Sequence, residues 1–487
     1  MSGVRVVRNT AYLVAAFVGQ KVLSFVYFTI VARVVGVEGA GKYFLAISLT
    51  TMFSIFVDLG LANVLVREVA KFPDKARSFL GNVLGLKIIL AVLTVIATLI
   101  TAHILNYHPE TTLMITIACL VMVLDSIHLV LYAVMRGFQN LRYEAIGVVS
   151  GQAIIIASGT FFMLSGFPLY FLVVALLCGS TWNVLWGCLA LVRKFKVWPS
   201  FRLDRTIIKF FWRITVPFAL AGIFSRVYSY IDSVMLSKLV SENIVGIYGV
   251  AYKIAFAFQF MPMAFAAAMY PAMSEYYISD RRKLGYLLTA ATAYLLLIVM
   301  PLSVGLAVLA RPLILILYGE DFLGSVLPLQ LLMFSLIFAF LYWPAGSLLN
   351  ASDRQAKNTL AMGITMVANI ILNALLIPHF GPAGAAAAAL VGNFVLWSVA
   401  LWFSREVTQL DRRRVILIAL KTGLSAAIMA VELIALKDVV NLALLIPLGA
   451  LTYIGAMFLT GGVTWSELKQ IISVFSKRSQ GISDLVP

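Results

Sequence analysis

Apolar residues run in blocks of about twenty along most of the chain, separated by short polar stretches rich in Arg, Lys, Gly and Pro. Twenty residues of α-helix rise about 30 Å, the thickness of a bilayer's hydrocarbon core. The pattern therefore predicts an all-α polytopic membrane protein with approximately fourteen transmembrane helices. The first seven lie near Ala11–Ala32, Tyr43–Leu65, Phe79–Thr101, Thr112–Met135, Ala145–Leu164, Leu169–Val192 and Ile214–Leu236. The rest lie near Ile244–Tyr270, Leu284–Ala310, Ser325–Leu349, Thr359–Ile377, Ala383–Phe403, Val415–Leu436 and Leu442–Gly462. Leu313–Leu317 is a candidate short interfacial helix. The first block is too long for a signal-peptide core and reads as an uncleaved span.

Some polar positions inside the blocks recur. GQKVLSFVYFTIVARVVGVEGAGKYFLA in the first two spans aligns without a gap on FSRVYSYIDSVMLSKLVSENIVGIYGVA in the seventh and eighth. The alignment pairs Lys21 with Arg226, Ser24 with Ser229, Arg33 with Lys238, Gly41 with Gly246, Tyr43 with Tyr248 and Ala46 with Ala251. An offset of about 205 residues marks a duplication. Six spans precede the basic loop Arg193–Arg213, and six more precede Arg405–Arg414. An even number per half gives both halves the same orientation, so the repeat is parallel. The expected organisation is an N-lobe at 1–197, a C-lobe at 198–405, and two further spans with a cytoplasmic tail at 406–487.

Charge fixes the orientation. Charged residues make up 12% of the chain and hydrophobic residues 62%; soluble proteins carry about 25% charged. The net charge of +16 would suit nucleic acid, but its distribution argues against that partner. About 27 Lys and Arg fall in one set of alternate loops and five (Arg33, Lys42, Lys238, Arg311 and Lys437) in the other. By the positive-inside rule both termini are cytoplasmic, the protein is multi-pass in the plasma membrane, and the excess charge faces anionic lipid.

Lys21 and Arg226 stand near the middle of their spans, where a charge is costly unless it serves a function or has a partner. An intramembrane ammonium calls for an anion or water; the plainer account of Lys21 is an ion pair with Asp58 or Asp125. Arg226 keeps its charge, and its planar donors suit phosphate oxygens. Ser229, Tyr230, Ser233 and Ser237 recur with it at helical spacing, a polar stripe suited to a wet cavity. Lys253 is a third cavity candidate or a snorkelling side chain. Asp58, Asp125 and Asp232 are candidates for charge pairing or for a coupling ion. Arg67 and Glu68 are candidates for a cytoplasmic gate or an interfacial ion pair. Lys87, Asp125 and His128 occupy inner parts of the third and fourth spans. Pro217, Pro262, Pro271, Pro301 and Pro344 permit bending, and Gly384, Ala388 and Gly392 permit close helix packing.

Enzyme chemistry finds little material. There is no phosphate-binding P-loop sequence, no metal-ligand spacing and no cofactor motif. Cys119, Cys178 and Cys188 read as small apolar residues within spans.

Several longer stretches carry a resemblance. They are YFLAISLTTMFSIFVDLGLANVLVREVA (Tyr43–Ala70), IDSVMLSKLVSENIVGIYGVAYKI (Ile231–Ile254), LYGEDFLGSVLPLQLL (Leu317–Leu332), and Leu348–Leu390 with its asparagines and IPHFGPAGAAAAA ending. In order and spacing they resemble prokaryotic polysaccharide-biosynthesis (Wzx-like) flippases of the multidrug/oligosaccharidyl-lipid/polysaccharide (MOP) superfamily, over the chain up to about Phe403. The resemblance implies a V-shaped pair of six-helix lobes around a central cavity. It implies export of a polyprenyl (di)phosphate-linked oligosaccharide to the outer leaflet by alternating access, H+ or Na+ as candidate coupling ions, and glycan-assembly proteins as partners. The positions of Lys21 and Arg226 broadly echo the cavity arginines that hold the diphosphate in related peptidoglycan-precursor flippases. The alternative is a cation-coupled multidrug (MATE-type) exporter, against which a central Lys21 in place of an acid speaks.

Overall fold

The computed structural model describes residues 3–198 and 204–462, with side chains from 16 onward except at 214 and 216–218. The basic residues Arg202, Lys469, Lys477 and Arg478 and the expected C-terminal tail lie outside the described residues, as do the side chains of Arg5, Arg8 and Pro217. Described residues form helices and no strands. The helices are α1 (Gly3–Asp58), α2 (Leu61–Lys71), α3 (Ala76–Ile104), α4 (Pro109–Gly137), α5 (Arg142–Leu164), α6 (Phe171–Ala190), α7 (Arg205–Leu239) and α8 (Ile244–Phe256). They continue as α9 (Phe260–Ser279), α10 (Arg281–Val308), α11 (Ala310–Leu317), α12 (Val326–Ala351), α13 (Gln355–Ser404), α14 (Arg412–Leu436) and α15 (Leu442–Leu459).

Eleven helical stretches among the described residues are long and apolar enough to cross a membrane. Two of them each contain two of the expected spans. In α1 the helix breaks at Gly36, whose φ of 69° and ψ of −173° only glycine adopts readily. In α13 the break is at Gly381, with φ 54°. A Cβ on Gly384 would lie 2.4 Å from the carbonyl oxygen of Leu376. Eight residues along a straight helix are about 12 Å apart, so the chain turns back here. Dividing α1 and α13 at these glycines and adding α7 yields the expected fourteen spans. The residues before α12 that read as an interfacial segment form the eight-residue helix α11.

The third helix shows how the outer face meets lipid while polar groups turn inward. In α3, Ile88, Ile89, Val92, Leu93, Ile96 and Ile100 are exposed, while Asn82, Lys87, Thr94 and Thr98 are buried. Lipid takes the place of water around such a face, and buried polar groups bond to other helices.

The chain forms two compact units, Met1–Gly249 and Val250–Pro487. In the first, α1 packs on α3, α4, α5 and α7, and α6 packs on α4 and α5. Its core includes Leu61, Leu65, Leu80, Val130, Leu131, Tyr132 and Phe211. The division by packing falls later than the repeat boundary read from the sequence, because α7, the opening span of the second repeat, lies against α1. In the second unit α12 packs on α9, α10 and α13, and α14 packs on α10 and α15. Gly384, Ala388 and Gly392 of α13 are buried. Between them and α12, the Ser335 hydroxyl donates to the Ala389 carbonyl at 3.2 Å and accepts from Asn393 at 2.7 Å. The two C-terminal spans join the second unit through Leu309, Met429, Leu433, Leu445 and Tyr453.

Candidate functional site

Within the first unit, α1 and α7 bring the two repeat-related cations together. Lys21 and Arg226 are both exposed at mid-span, close enough for each to feel the other's charge. Arg226 donates a hydrogen bond to Tyr230, one turn further along α7. Ser229 turns back to donate to the Ser225 carbonyl at 2.9 Å. The stripe expected on α7 divides along its length. Arg226, Ser229 and Tyr230 are at least partly exposed, whereas Ser233 and Ser237 are buried. Asp232 is buried and accepts from the Tyr248 hydroxyl at 2.7 Å. Lys253 belongs to the second unit, on the part of α8 beyond Gly249, and is half-buried.

The two aligned glycines meet. A Cβ on Gly41 would lie 3.0 Å from the Gly246 nitrogen, and a Cβ on Gly246 would lie 2.9 Å from the Gly41 nitrogen. The same Cβ on Gly41 would lie 2.6 Å from the Glu242 carbonyl oxygen, and that on Gly246 would lie 2.2 Å from the Val37 carbonyl oxygen. A contact in which each partner touches its own counterpart is the mark of a two-fold relation, here between the opening segments of the two repeats. No residue with a side chain fits at either position without moving backbone.

Ionic contacts surround this junction. Lys42 pairs with Glu38 and Glu110, both at 2.8 Å. Glu242 accepts from the Thr111 hydroxyl at 2.5 Å and the His108 backbone at 3.0 Å. Lys238 sits 3.9 Å above the Tyr107 ring, whose hydroxyl lies 3.1 Å from Ser237. The alignment contained Gly41 and Gly246 as a pair, but as a sign of duplication; their contact follows only once α1 and α7 are known to be neighbours.

Asp58 ends α1 and accepts from the Gly60 and Ala62 backbone at 3.1 and 3.4 Å. Leu59 and Gly60 both take positive φ, so the DLG element is a capped helix break. The Asp58 carboxylate also pairs with Lys87 at 2.5 Å. Lys87 is 1% exposed and donates in addition to the Ser126 carbonyl and hydroxyl at 3.0 and 3.1 Å. The sequence marks Lys87 as a cation inside the third span but does not assign it this carboxylate. Asp125 is half-exposed, accepts from Ser180 at 2.5 Å, and lies 3.4 Å from His128 Nδ1. Arg67 bonds to the buried Glu68 at 2.9 Å, and Lys71 stands 3.8 Å from the same carboxylate. Arg136 grips the buried Glu144 with two guanidinium nitrogens, one at 2.7 Å, a pairing of α4 with α5 that the sequence did not suggest. Among the described residues no group of three or more His, Cys, Asp or Glu could hold a metal ion.

Comparison with known proteins places this architecture. Residues 6–277 match the family described as polysaccharide biosynthesis protein, and residues 217–378 match the one described as MatE. An uncharacterized membrane protein of Methanocaldococcus jannaschii is 25% identical over 90% of this chain and 92% of its own. A probable low-salt glycan biosynthesis flippase of Haloferax volcanii, Agl15, is 22% identical over 75% of this chain and 76% of its own. Among solved structures, the lipid II flippase MurJ in an inward closed conformation superposes with a TM-score of 0.76 at 17% identity. It covers 94% of this chain and 99% of its own. With more than half of its length matched, the chain belongs to the polysaccharide biosynthesis protein family, on a fold shared with MurJ.

Proposed function

We propose that the protein is a flippase that moves a polyprenyl (di)phosphate-linked oligosaccharide from the cytoplasmic to the outer leaflet of the plasma membrane by alternating access. Both termini are then cytoplasmic. The observation that carries this reading is the like-charged pair Lys21 and Arg226, exposed at mid-span on neighbouring helices. Like charges this close repel, and a phosphate or diphosphate between them turns repulsion into two charge-assisted contacts. Ser229 and Tyr230 add hydroxyls beside the pair. The flippase names of relatives support the class of cargo.

In this reading the repeats 1–197 and 198–405 are the moving parts, and 406–487 is an addition to them. The reciprocal Gly41–Gly246 contact closes the outer face, and Arg67 with Glu68 gates the cytoplasmic one. Of the candidate carboxylates, Asp58 serves as a charge partner of Lys87, and Asp125 and Asp232 are the candidates for an H+ or Na+ coupling ion. An inside-negative potential also drives the step. Two negative charges crossing outward gain about 4–5 kcal/mol per 100 mV if uncompensated. Glycan-assembly proteins are the partners that supply and consume such a cargo.

The MatE match at 217–378 favours a second reading, a cation-coupled drug exporter. Proteoliposomes carrying a fluorescent polyprenyl-diphosphate oligosaccharide separate the two. The flippase reading predicts that an imposed potential, negative on the side of origin, speeds leaflet exchange, and that cationic dyes are not transported. Dye transport without lipid exchange would sink it.

A further inference from the structure

The second unit carries a cationic cavity that the transport reading does not use. It is an open depression of about 340 Å³ where the start of α10 meets the 404–411 connection, and its lining includes Arg281, Arg282, Tyr286, Thr408, Gln409 and Asp411. The connection is tied down at three points. Arg281 donates to the Val407 carbonyl at 3.4 Å, the Thr408 hydroxyl donates to the Arg281 carbonyl at 3.1 Å, and the Asp411 backbone donates to Thr289 at 3.1 Å. Gly285 lets the loop approach, since a Cβ there would lie 2.9 Å from the Gln409 carbonyl oxygen.

Charge at this mouth is lopsided. Arg281, Arg282, Lys283 and Arg412–Arg414 face Asp280 and Asp411; the third acid here, Glu406 of the connection, is taken up by other cations. Asp280 and Asp411 are both engaged as helix caps. Asp280 accepts from the backbone of Arg282 and Lys283 at 2.9 and 3.2 Å, and Asp411 accepts from that of Arg414 at 3.0 Å. The nearby cations Arg354 and Lys357 share Glu406. Arg281 stacks over the Tyr277 ring at 5.1 Å, and Arg282 has no ion pair among the described residues. One turn beyond Arg282 on α10, Tyr286 is 60% exposed, a side chain suited to the boundary between headgroups and acyl chains.

We infer that this cavity is a binding site for the phosphate of an anionic phospholipid from the surrounding leaflet. Arg282 and Arg281 contact the phosphate, Gln409 hydrogen-bonds the headgroup, and Tyr286 lies along the upper acyl chain. Basic pockets beside membrane spans take anionic headgroups in this way. On the orientation proposed above, the leaflet is the cytoplasmic one, but the binding itself does not depend on transport.

Native mass spectrometry of the full chain, released from nanodiscs of phosphatidylcholine doped with phosphatidylglycerol, tests the inference. The wild type should retain one phosphatidylglycerol in preference to phosphatidylcholine. Arg282→Gln, which removes no observed protein contact, should weaken retention roughly tenfold, and Arg281→Gln with Arg282→Gln should abolish it. Arg413→Gln with Arg414→Gln changes the same net charge outside the cavity and should leave retention intact. Equal loss in that control, or equal retention in all variants, would overturn the site. Displacement of the lipid by millimolar inorganic phosphate would show that the free anion is the ligand and overturn the lipid assignment.

Discussion

Lys87 and Asp58 illustrate what a single pair does inside a membrane domain. The ammonium is almost wholly buried, and its nearest carboxylate also caps the break between α1 and α2. Removing one partner strands the other, which costs about 3–5 kcal/mol for buried pairs. Lys87→Met is expected to lower thermal stability in detergent by that order, and Asp58→Asn added to it should recover much of the loss. A double variant that loses the full sum of the singles would show that the pair does not act as a unit. Outside the membrane, Glu406 is a milder case. Hydrogen bonds from Lys357, then Arg354, hold its carboxyl below the usual value. A depressed carboxyl stabilises above its unfolded pKa and loses that contribution as pH falls through its lower folded one. Amide exchange in residues 405–411 should therefore be slow at pH 7, after correction for its intrinsic pH dependence, and faster once the pH drops below the ordinary carboxylate range. An unchanged protection factor would contradict the clip. None of these partners was legible in the chain. Lys87 and Asp58 are far apart in sequence, and only the rotation of α3 against α1 decides which carboxylate the ammonium meets.

At the level of elements, glycine placement separates contact from mere flexibility. A Cβ on Gly246 would meet the α1 backbone at Val37 and Gly41, whereas Gly423 in α14 has open space where a Cβ would go. A methyl group at position 246 must push α1 and the start of α8 apart, at about 1–3 kcal/mol. At position 423 it should stabilise the helix by about 0.5–1 kcal/mol. Unfolding midpoints of Gly246→Ala and Gly423→Ala should thus move in opposite directions; equal shifts would refute the tight junction. The spans themselves were readable because a helix must be apolar for about twenty residues to sit in lipid. Gly36 and Gly381 explain why two pairs of spans run on as continuous helical stretches: the reversals are too short to break the helical pattern for more than a residue.

For the whole molecule, duplication was the most informative signal, and it carried further than composition. An ungapped offset paired Lys21 with Arg226 and Gly41 with Gly246, and each pair proves to be a spatial neighbour. What the offset could not supply was the grouping of α7 with the first compact unit, since that depends on which helices pack and not on which are homologous. The central claim is that the two mid-span cations hold an anionic headgroup during transport. The most direct measurement is leaflet exchange of a fluorescent polyprenyl-diphosphate oligosaccharide in proteoliposomes, with Lys21→Glu and Arg226→Glu combined in one variant and Lys21→Arg as the charge-preserving control. The account predicts that the reversed variant falls to the protein-free rate while remaining folded, and that the control keeps most of its activity. Exchange at the wild-type rate in the reversed variant would contradict it.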